Sequence, residues 1–232
     1  NDRLDGMKIV VDCANGAASG IAAEAYARLG ANVRVINDAP DGTNINDGCG
    51  ALHPEVVAAE VVRTGADAGV AHDGDADRAI FSDADGVVVD GDQVLAACAR
   101  DLKEAGLLAA NTVVSTVMAN IGFRRAMADA DIRVQTAKVG DRYVLEEMLR
   151  SGAVLGGEQS GHLIFADRAT TGDGILTAIR FLSASVRTGV PVSGLAGLMR
   201  RYPQVLLNIE VADRDALERA VPVWEAVGSA ER

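Results

Sequence analysis

The sequence is poor in aromatic residues and in positive charge. Aromatic residues make up 3% of the 232 residues, whereas hydrophobic residues as a whole make up 49%. A buried core must therefore be built mainly from small aliphatic side chains. Lysine and arginine number 22 against 33 aspartates and glutamates, which gives a net charge of -11. Such an acidic surface repels nucleic acid and anionic membranes, and we expect neither as a partner.

Cysteines and long apolar runs are also scarce. Cys13, Cys49 and Cys98 are an odd number of cysteines without a CxxC pair. This usage is typical of reduced thiols and predicts a cytoplasmic protein. No signal peptide and no apolar run of 18 residues are found, so we expect no membrane span. Because the sequence begins with Asn1 rather than methionine, we expect a fragment of a longer polypeptide.

Apolar strands alternate with helical patterns, and the alternation occurs twice. A buried strand at Lys8–Asp12 precedes a glycine-rich turn, a helix from Ile21 and a strand at 33–36. The order of strand, helix and strand returns over 112–134, which indicates a weak internal repeat. We therefore predict an α/β fold with two consecutive similar α/β domains, whose mixed, mostly parallel sheets are flanked by helices.

The predicted domains cover residues 1–87 and 88–202. A strand over 204–211 and a helical pattern from Asp213 follow in the remaining residues, 203–232. This last piece is too short to fold alone. We expect it to be a truncated C-terminal α+β piece, the beginning of a further domain.

Three carboxylates follow a short apolar strand within the hexapeptide DGDADR. In a turning loop, Asp73, Asp75 and Asp77 can direct their oxygens at one hard divalent cation, most naturally Mg²⁺. Arg78 adds a positive charge suited to an anion. An EF-hand is excluded because its sixth and twelfth positions would be Arg78 and Ala84 instead of glycine and glutamate. A solvated acidic turn is the alternative.

A second polar stretch, GGEQSGH, follows the apolar pair at 154–155. Its carboxylate, amide, hydroxyl and imidazole groups can hydrogen-bond several hydroxyls of a sugar. These groups belong to Glu158, Gln159, Ser160 and His162. An ordinary polar turn between strands is the alternative interpretation.

Two further loops precede predicted helices. Lys138 and Arg142 flank Gly140 at a strand-to-helix junction, where backbone N–H groups favour anions. A helix start capped by Asp141 is the alternative there. In the sequence TTGDG, the spacing favours simple capping of a helix by Asp173.

Taken in this order, the motifs resemble those of the α-D-phosphohexomutases along nearly the whole chain. DGDADR is similar to the family's magnesium loop, and GGEQSGH is similar to its sugar-recognition loop. EQSGH at 158–162 and VGDRYV at 139–144 resemble the phosphoglucosamine mutase branch in particular. Gln159 and the pair at 141–142 argue against the alternative branch, the phosphoglucomutase/phosphomannomutases.

The resemblance implies a Mg²⁺-dependent mutase that interconverts glucosamine 6-phosphate and glucosamine 1-phosphate for cell-wall precursor synthesis. A phosphoserine would donate the phosphoryl group and a 1,6-bisphosphate would be the intermediate. Asp73, Asp75 and Asp77 would hold one Mg²⁺, with the phosphoserine outside this chain as the fourth ligand. Metal binding and charge neutralisation suit phosphoryl transfer, which needs alignment more than covalent help.

The resemblance also implies roles for single residues. Arg78 would stabilise the transferring phosphoryl group. His162 or Lys138 would relay a proton from the attacking hydroxyl, and the choice between them is open. The expected substrate contacts are Glu158, Ser160, Gln159, Arg142 and Gly140.

The chain departs from the family at two loops. No stretch similar to TASHNP, the family's phosphoserine loop, or to RxSGTEP, its phosphate-binding loop, is found. We therefore expect an inactive fragment whose partners are a phosphosugar and the missing N-terminal and C-terminal domains of the same polypeptide. Whether the protein forms a homodimer is left open by the sequence. A non-catalytic metal- or sugar-phosphate-binding module is the alternative from another class, whereas a nucleotide-binding domain is disfavoured because GxGxxG is absent.

Overall fold

The chain divides into two units, one ending at Tyr202 and the other beginning at Pro203. The structure is a computed structural model that describes residues 2–206, 216–217 and 219–230.

The first sheet lies in the N-terminal part of the first unit. Its strands are β1 (Lys8–Asp12), β2 (Asn32–Ile36), β3 (Ala68–His72), β4 (Ala79–Asp83) and β5 (Val88–Val89). Their order in the sheet is β2-β1-β3-β4-β5. β1 pairs in parallel with β2 and β3, whereas β4 runs antiparallel to β3 and β5. The buried strand β1 thus lies at the centre of the parallel part, and the buried strand β3 joins this part to the antiparallel strands.

The second sheet repeats this plan with one strand fewer. Its strands are β6 (Thr112–Thr116), β7 (Arg133–Ala137), β8 (Leu155–Gly157) and β9 (Leu163–Phe165). The order β7-β6-β8-β9 matches β2-β1-β3-β4 strand for strand, and the last strand is again antiparallel. The prediction of two similar α/β domains with mixed sheets is therefore confirmed.

Helices connect and flank both sheets. They are α1 (Ile21–Arg28), α2 (Pro54–Thr64), α3 (Gly91–Glu104), α4 (Ile121–Asp129), α5 (Asp141–Ser151), α6 (Gly174–Thr188) and α7 (Val192–Ala196). Pro54 is accepted in the first turn of α2, where the missing N–H would have no helical partner. Gly65 ends the same helix in the left-handed conformation.

Three helix ends test the predictions from sequence. Asp173 caps α6 as predicted, because its side chain accepts a hydrogen bond from the Leu176 N–H at 2.9 Å. The sequence also predicts a helix at 195–201, which is wrong in its bounds because α7 begins at Val192 after Pro191 and ends at Ala196. Asp141 is not a cap either, because Gly140 holds that position and Asp141 is the first helical residue.

A continuous apolar core runs from one sheet to the other. Phe81 on β4 meets Phe181 on α6 edge to face, with ring centroids 4.9 Å apart. α6 also contacts α3, which in turn packs against β8 of the second sheet. Small aliphatic residues fill the rest of this core, as the composition predicts. The predicted boundary between residues 87 and 88 stays a prediction.

The second unit contains α8 (Val221–Ala230), and the Trp224 indole N–H donates to the Leu217 carbonyl oxygen at 3.1 Å. The strand predicted over 204–211 lies largely outside the described residues, as does the start of the helical pattern from Asp213. In the described part of the chain, the helices are too short or too polar to cross a membrane.

Candidate active site

The acidic hexapeptide forms the tight loop that joins β3 to β4. Ala76 adopts a left-handed conformation, with φ 62, which turns the chain back on itself. Asp73 closes the loop: its carbonyl oxygen accepts from the Ala76 N–H and its Oδ1 accepts from the Arg78 N–H, both at 3.1 Å. As a result, carboxylate oxygens of Asp73, Asp75 and Asp77 lie within 4.8 Å of one another.

This cluster fits a small divalent cation. Oxygens on opposite sides of an octahedral Mg²⁺ are about 4.2 Å apart, so small side-chain movements would bring the three carboxylates to one ion. Asp73 is buried, Asp77 is half-buried and Asp75 is exposed. Burial and the negative charge of Asp73 raise the pKa of Asp77 to about 6. A cation at the cluster would relieve the repulsion between these carboxylates.

Two backbone segments hold the acidic loop from outside. The Ala17 N–H donates to the Gly74 carbonyl oxygen at 2.8 Å, and the Gly174 N–H donates to the Ala76 carbonyl oxygen at 2.9 Å. A Cβ atom on Gly16 would overlap the Gly74 carbonyl group. The approach of these segments therefore requires glycine.

A buried histidine joins the two ends of the acidic loop. His72, fully buried at the end of β3, has Nδ1 3.0 Å from the Arg78 carbonyl oxygen and Nε2 2.8 Å from the Tyr26 hydroxyl. Because a carbonyl oxygen can only accept, Nδ1 carries the proton and the tyrosine donates to Nε2. Burial lowers the pKa of His72, which favours this neutral form.

The polar stretch from Glu158 to His162 forms the turn between β8 and β9. The Glu158 N–H donates to the His162 carbonyl oxygen, and the Gly161 N–H donates to the Glu158 carbonyl oxygen, both at 3.0 Å. Glu158 Oε1 accepts from the Gly140 N–H at 2.9 Å. The carboxylate thus holds the start of α5 through one of its two oxygens.

The two loops meet through their backbones. Arg78 and His162 form an isolated antiparallel bridge, and the Ala79 N–H donates to the Gly161 carbonyl oxygen at 3.1 Å. The buried imidazole of His162 then places Nε2 3.5 Å from Asp77 Oδ2. Neither ring nitrogen of His162 has a hydrogen-bond partner among the described residues.

A basic group lies between the acidic loop and the turn. The guanidinium Nε of Arg78 is 3.6 Å from a carboxylate oxygen of Asp73 and of Asp77. Its side chain is 41% exposed, so it can reach an incoming anion while it stays beside the carboxylates. The sequence predicted a positive charge of Arg78 beside the carboxylates, and its role toward an anion stays a prediction.

A cavity of about 500 Å³ opens where the loops meet, within the range of small-molecule sites. Its lining residues are Asp77, Arg78, Thr116, Met118, Val139, Gly140, Asp141, Glu158, Gln159, Ser160 and His162. Most predicted site residues are therefore brought together in one cavity. Thr116 and Met118 were not predicted, although Thr116 ends the buried strand β6 and Met118 follows it. Ligands of α/β sheets bind at such strand ends.

Four predicted site residues are not among the lining residues. Asp73 and Asp75 belong to the carboxylate cluster beside the cavity, whereas Lys138 and Arg142 make other contacts. Lys138 places Nζ 5.8 Å from the centre of the Tyr143 ring. The exposed Arg142 pairs with Glu146 one turn further along α5, with 2.8 Å between Nε and Oε1. Both cationic side chains thus contact residues of α5.

Two family models match this chain, one for each sheet. Residues 1–86 match the family model of phosphoglucomutase/phosphomannomutase α/β/α domain II, and residues 90–202 match that of domain III. Together the two matches cover both sheets and both loops.

Curated relatives match along almost the whole chain. A phosphoglucosamine mutase of Pelotomaculum thermopropionicum is 57% identical over 229 residues, which are 99% of this chain and 52% of the relative. One of Desulforudis audaxviator is 55% identical over 98% of this chain and 51% of the relative. The chain thus spans about half the length of the curated relatives it matches.

Solved structures share the fold. A phosphoglucomutase/phosphomannomutase family protein of Burkholderia thailandensis superposes with a TM-score of 0.77 at 29% identity, over 88% of this chain and 44% of that protein. N-acetylphosphoglucosamine mutase of Aspergillus fumigatus, solved with GlcNAc-6P and magnesium, gives a TM-score of 0.71 at 21% identity. That match covers 92% of this chain and 49% of the fungal protein.

Proposed function

The chain belongs to the phosphoglucomutase/phosphomannomutase family, and we propose that it supplies the metal-binding and sugar-binding parts of a phosphoglucosamine mutase. One observation carries the proposal: the three-carboxylate loop and the EQSGH turn meet across a single cavity. The relatives named phosphoglucosamine mutase support the amino sugar as substrate. The matched family ranges support our assignment of 1–87 and 88–202 as domains II and III.

The proposed reaction interconverts glucosamine 6-phosphate and glucosamine 1-phosphate. A phosphoserine outside this chain transfers its phosphoryl group to the sugar, giving a 1,6-bisphosphate. The sugar then turns round, and its other phosphoryl group returns to the serine. Asp73, Asp75 and Asp77 would hold Mg²⁺, which when bound withdraws negative charge from the phosphoryl donor.

Arg78 is the group in this chain that meets the transferring phosphoryl group. Its guanidinium lies beside the acidic cluster and lines the cavity. The planar guanidinium has several fixed N–H donors, which suit the equatorial oxygens on which charge is spread during phosphoryl transfer. The position of Arg78 is fixed by its backbone bridge to His162.

Glu158, Gln159 and Ser160 bind the sugar. All three line the cavity, and the free oxygen of Glu158 together with the Ser160 hydroxyl can accept from sugar hydroxyls. Gly140 contributes through its hydrogen bond to Glu158 instead of through a side chain. We propose no direct sugar contact for Arg142, because it pairs with Glu146.

His162 is our preferred proton acceptor. The attacking hydroxyl of the sugar loses its proton to a base while the O–P bond forms. Nε2 of His162 lies 3.5 Å from Asp77 Oδ2, and both residues line the cavity. Lys138 remains the alternative, although its ammonium group lies over Tyr143. A His162→Gln variant should lower kcat far more than a Lys138→Gln variant if this assignment is correct.

The test is a steady-state assay of the full-length protein to which the chain belongs. Glucosamine 1-phosphate, glucose 1-phosphate and mannose 1-phosphate would be compared with and without Mg²⁺. We expect strong, Mg²⁺-dependent preference for the amino sugar. Better turnover of glucose or mannose phosphate would favour the second candidate, a phosphoglucomutase/phosphomannomutase, as the 29% identical structural relative is named. Turnover of none would favour a binding module.

Metal binding can be tested on the chain itself. We expect Asp75→Asn to lose most of its affinity for Mn²⁺, a spectroscopic substitute for Mg²⁺, in calorimetry. Asp85→Asn is the matched control, because Asp85 is an exposed aspartate in the β4–β5 turn of the same domain. Equal affinities of the two variants would contradict the metal assignment. The chain alone should show no mutase turnover.

A further inference from the structure

The EQSGH turn rests on the first residues of α3. The Gly91 N–H donates to the Gln159 carbonyl oxygen at 3.0 Å. A Cβ atom on Gly91 would overlap the Glu158 carbonyl oxygen and would lie 2.5 Å from the Gly161 nitrogen. No side chain therefore fits between the turn and the helix, and the N-terminus of α3 sets the position of the turn.

Asp90 caps this helix and also contacts the turn. Its Oδ1 accepts from the Gln93 N–H at 3.1 Å, and Gln93 Oε1 accepts from the Asp90 N–H at 3.3 Å, which completes a capping box. Its Oδ2 lies 3.4 Å from Gln159 Nε2 and 3.5 Å from Arg201 Nε. The carboxylate is thus held by three groups and is only 7% exposed.

The charge of Asp90 determines which end of the Gln159 amide faces it. A carboxylate accepts hydrogen bonds and does not donate them, so the NH₂ end must point at Asp90. The amide oxygen is then the end left over for a ligand, and Gln159 lines the cavity. Among the residues that the structure describes, Gln159 Oε1 receives no hydrogen bond.

We propose that Asp90 is a positioning residue for substrate selection, because it turns the Gln159 amide so that the cavity presents an acceptor. This inference rests on the proposed function and names the substrate group selected: the ammonium group of an amino-sugar phosphate. An ammonium group can only donate, whereas a hydroxyl can do both. An amide free to rotate can present its oxygen or its NH₂ group, so it would suit an ammonium group or a hydroxyl. The amide held by Asp90 presents its oxygen and therefore favours the ammonium group as a hydrogen-bond donor.

The test uses the chain and two probes, glucosamine 6-phosphate and glucose 6-phosphate, with dissociation constants measured by calorimetry. Asp90→Asn is the decisive variant, since asparagine caps a helix as well as aspartate but can also donate. We expect it to lower the preference for the amino sugar about fivefold, the size of one hydrogen bond. Gln159→Met should lower it at least as much.

A double variant separates positioning from general damage. If Asp90 acts through Gln159, adding Asp90→Asn to Gln159→Met should change the ratio of the two dissociation constants no further. Asp83→Asn is the matched control, because Asp83 is also buried and accepts from the N–H groups of Asp85 and Val87. The proposal would be overturned if Asp90→Asn left the ratio of the two dissociation constants unchanged. It would also be overturned if Asp90→Asn lowered the preference for the amino sugar equally in the unaltered chain and in the Gln159→Met variant.

A measurement without sugar keeps the inference testable apart from the proposed function. The side-chain NH₂ resonances of Gln159, assigned by their loss in Gln159→Met, should shift in Asp90→Asn and stay in place in Asp83→Asn. Unmoved resonances would overturn the role of Asp90. Shifted resonances in a chain that binds neither sugar would support the positioning and contradict the proposed function.

Discussion

Replacing Asp92 by asparagine should remove a pH dependence from the stability of the chain. Asp92 lies in the first turn of α3, is fully buried, and accepts from the Asn120 N–H through Oδ2 at 2.7 Å. Its Oδ1 has no hydrogen-bond partner in the described part of the chain. Burial raises the pKa of this carboxyl from 3.8 to about 7.

The size of the effect follows from the pKa difference. Three pKa units correspond to about 4 kcal/mol, which is the cost of keeping Asp92 charged in the folded chain above pH 7. The folded chain holds this proton up to about pH 7, whereas the unfolded chain releases it near 3.8. Between these values folding takes up a proton, so the free energy of unfolding falls as pH rises.

The asparagine variant carries no such charge. Its amide oxygen can accept from the Asn120 N–H, but its NH₂ group would replace the partnerless Oδ1 at a cost of about 1–3 kcal/mol at every pH. As pH rises from 4 to 8, the free energy of unfolding of the variant should therefore increase by about 4 kcal/mol relative to that of the unaltered chain. At pH 8 its net advantage should be about 2 kcal/mol.

Urea unfolding followed by far-ultraviolet circular dichroism measures this difference. Unfolding free energies of both chains would be compared from pH 5 to pH 8, so that other titrating groups cancel. A difference that stays constant over this range would refute the reasoning. Asp173→Asn, which can keep the cap hydrogen bond to the Leu176 N–H at the start of α6, is the matched control for replacing an aspartate near the N-terminus of a helix.

Three further predictions concern the acidic loop. Tyr26→Phe leaves His72 Nε2 buried without a donor and should lower the free energy of unfolding by about 1–3 kcal/mol in urea; an unchanged value would exclude that hydrogen bond. Mn²⁺ affinity should fall as pH drops below about 6, because a proton on Asp77 competes with the ion, and flat affinity from pH 5 to 8 in electron paramagnetic resonance would contradict this. Gly16→Ala should weaken Mn²⁺ binding about tenfold in calorimetry by displacing Gly74, and equal binding would argue against the close contact.

Local patterns predicted most of the elements. The run of apolar residues at Lys8–Asp12 is a strand, and the helix predicted to begin at Ile21 spans Ile21–Arg28. These elements are encoded by nearby residues through periodicity, proline and glycine, which explains why a single sequence suffices. The carboxylate cluster was predictable for the same reason, since Asp73, Asp75 and Asp77 are neighbours in the sequence.

Contacts between distant residues were not predictable. The Arg78–His162 bridge joins residues 84 positions apart, and no local pattern specifies such a pairing. The sequence predicted Lys138 and Arg142 at the site because they flank Gly140, and their site roles stay predictions; in the structure Lys138 lies over Tyr143 and Arg142 pairs with Glu146. The role of Asp90 also depends on α3 meeting a turn about 70 residues later in the chain.

The Arg78–His162 bridge makes the spacing between the two loops a property of the backbone. Main-chain hydrogen bonds set this spacing, so it limits the length of any ligand that contacts both loops. In the proposed reaction, a sugar that turns end over end would have to fit the same spacing in both orientations. Substitutions of side chains within either loop would then change which sugar the proposed mutase binds and leave this backbone spacing in place.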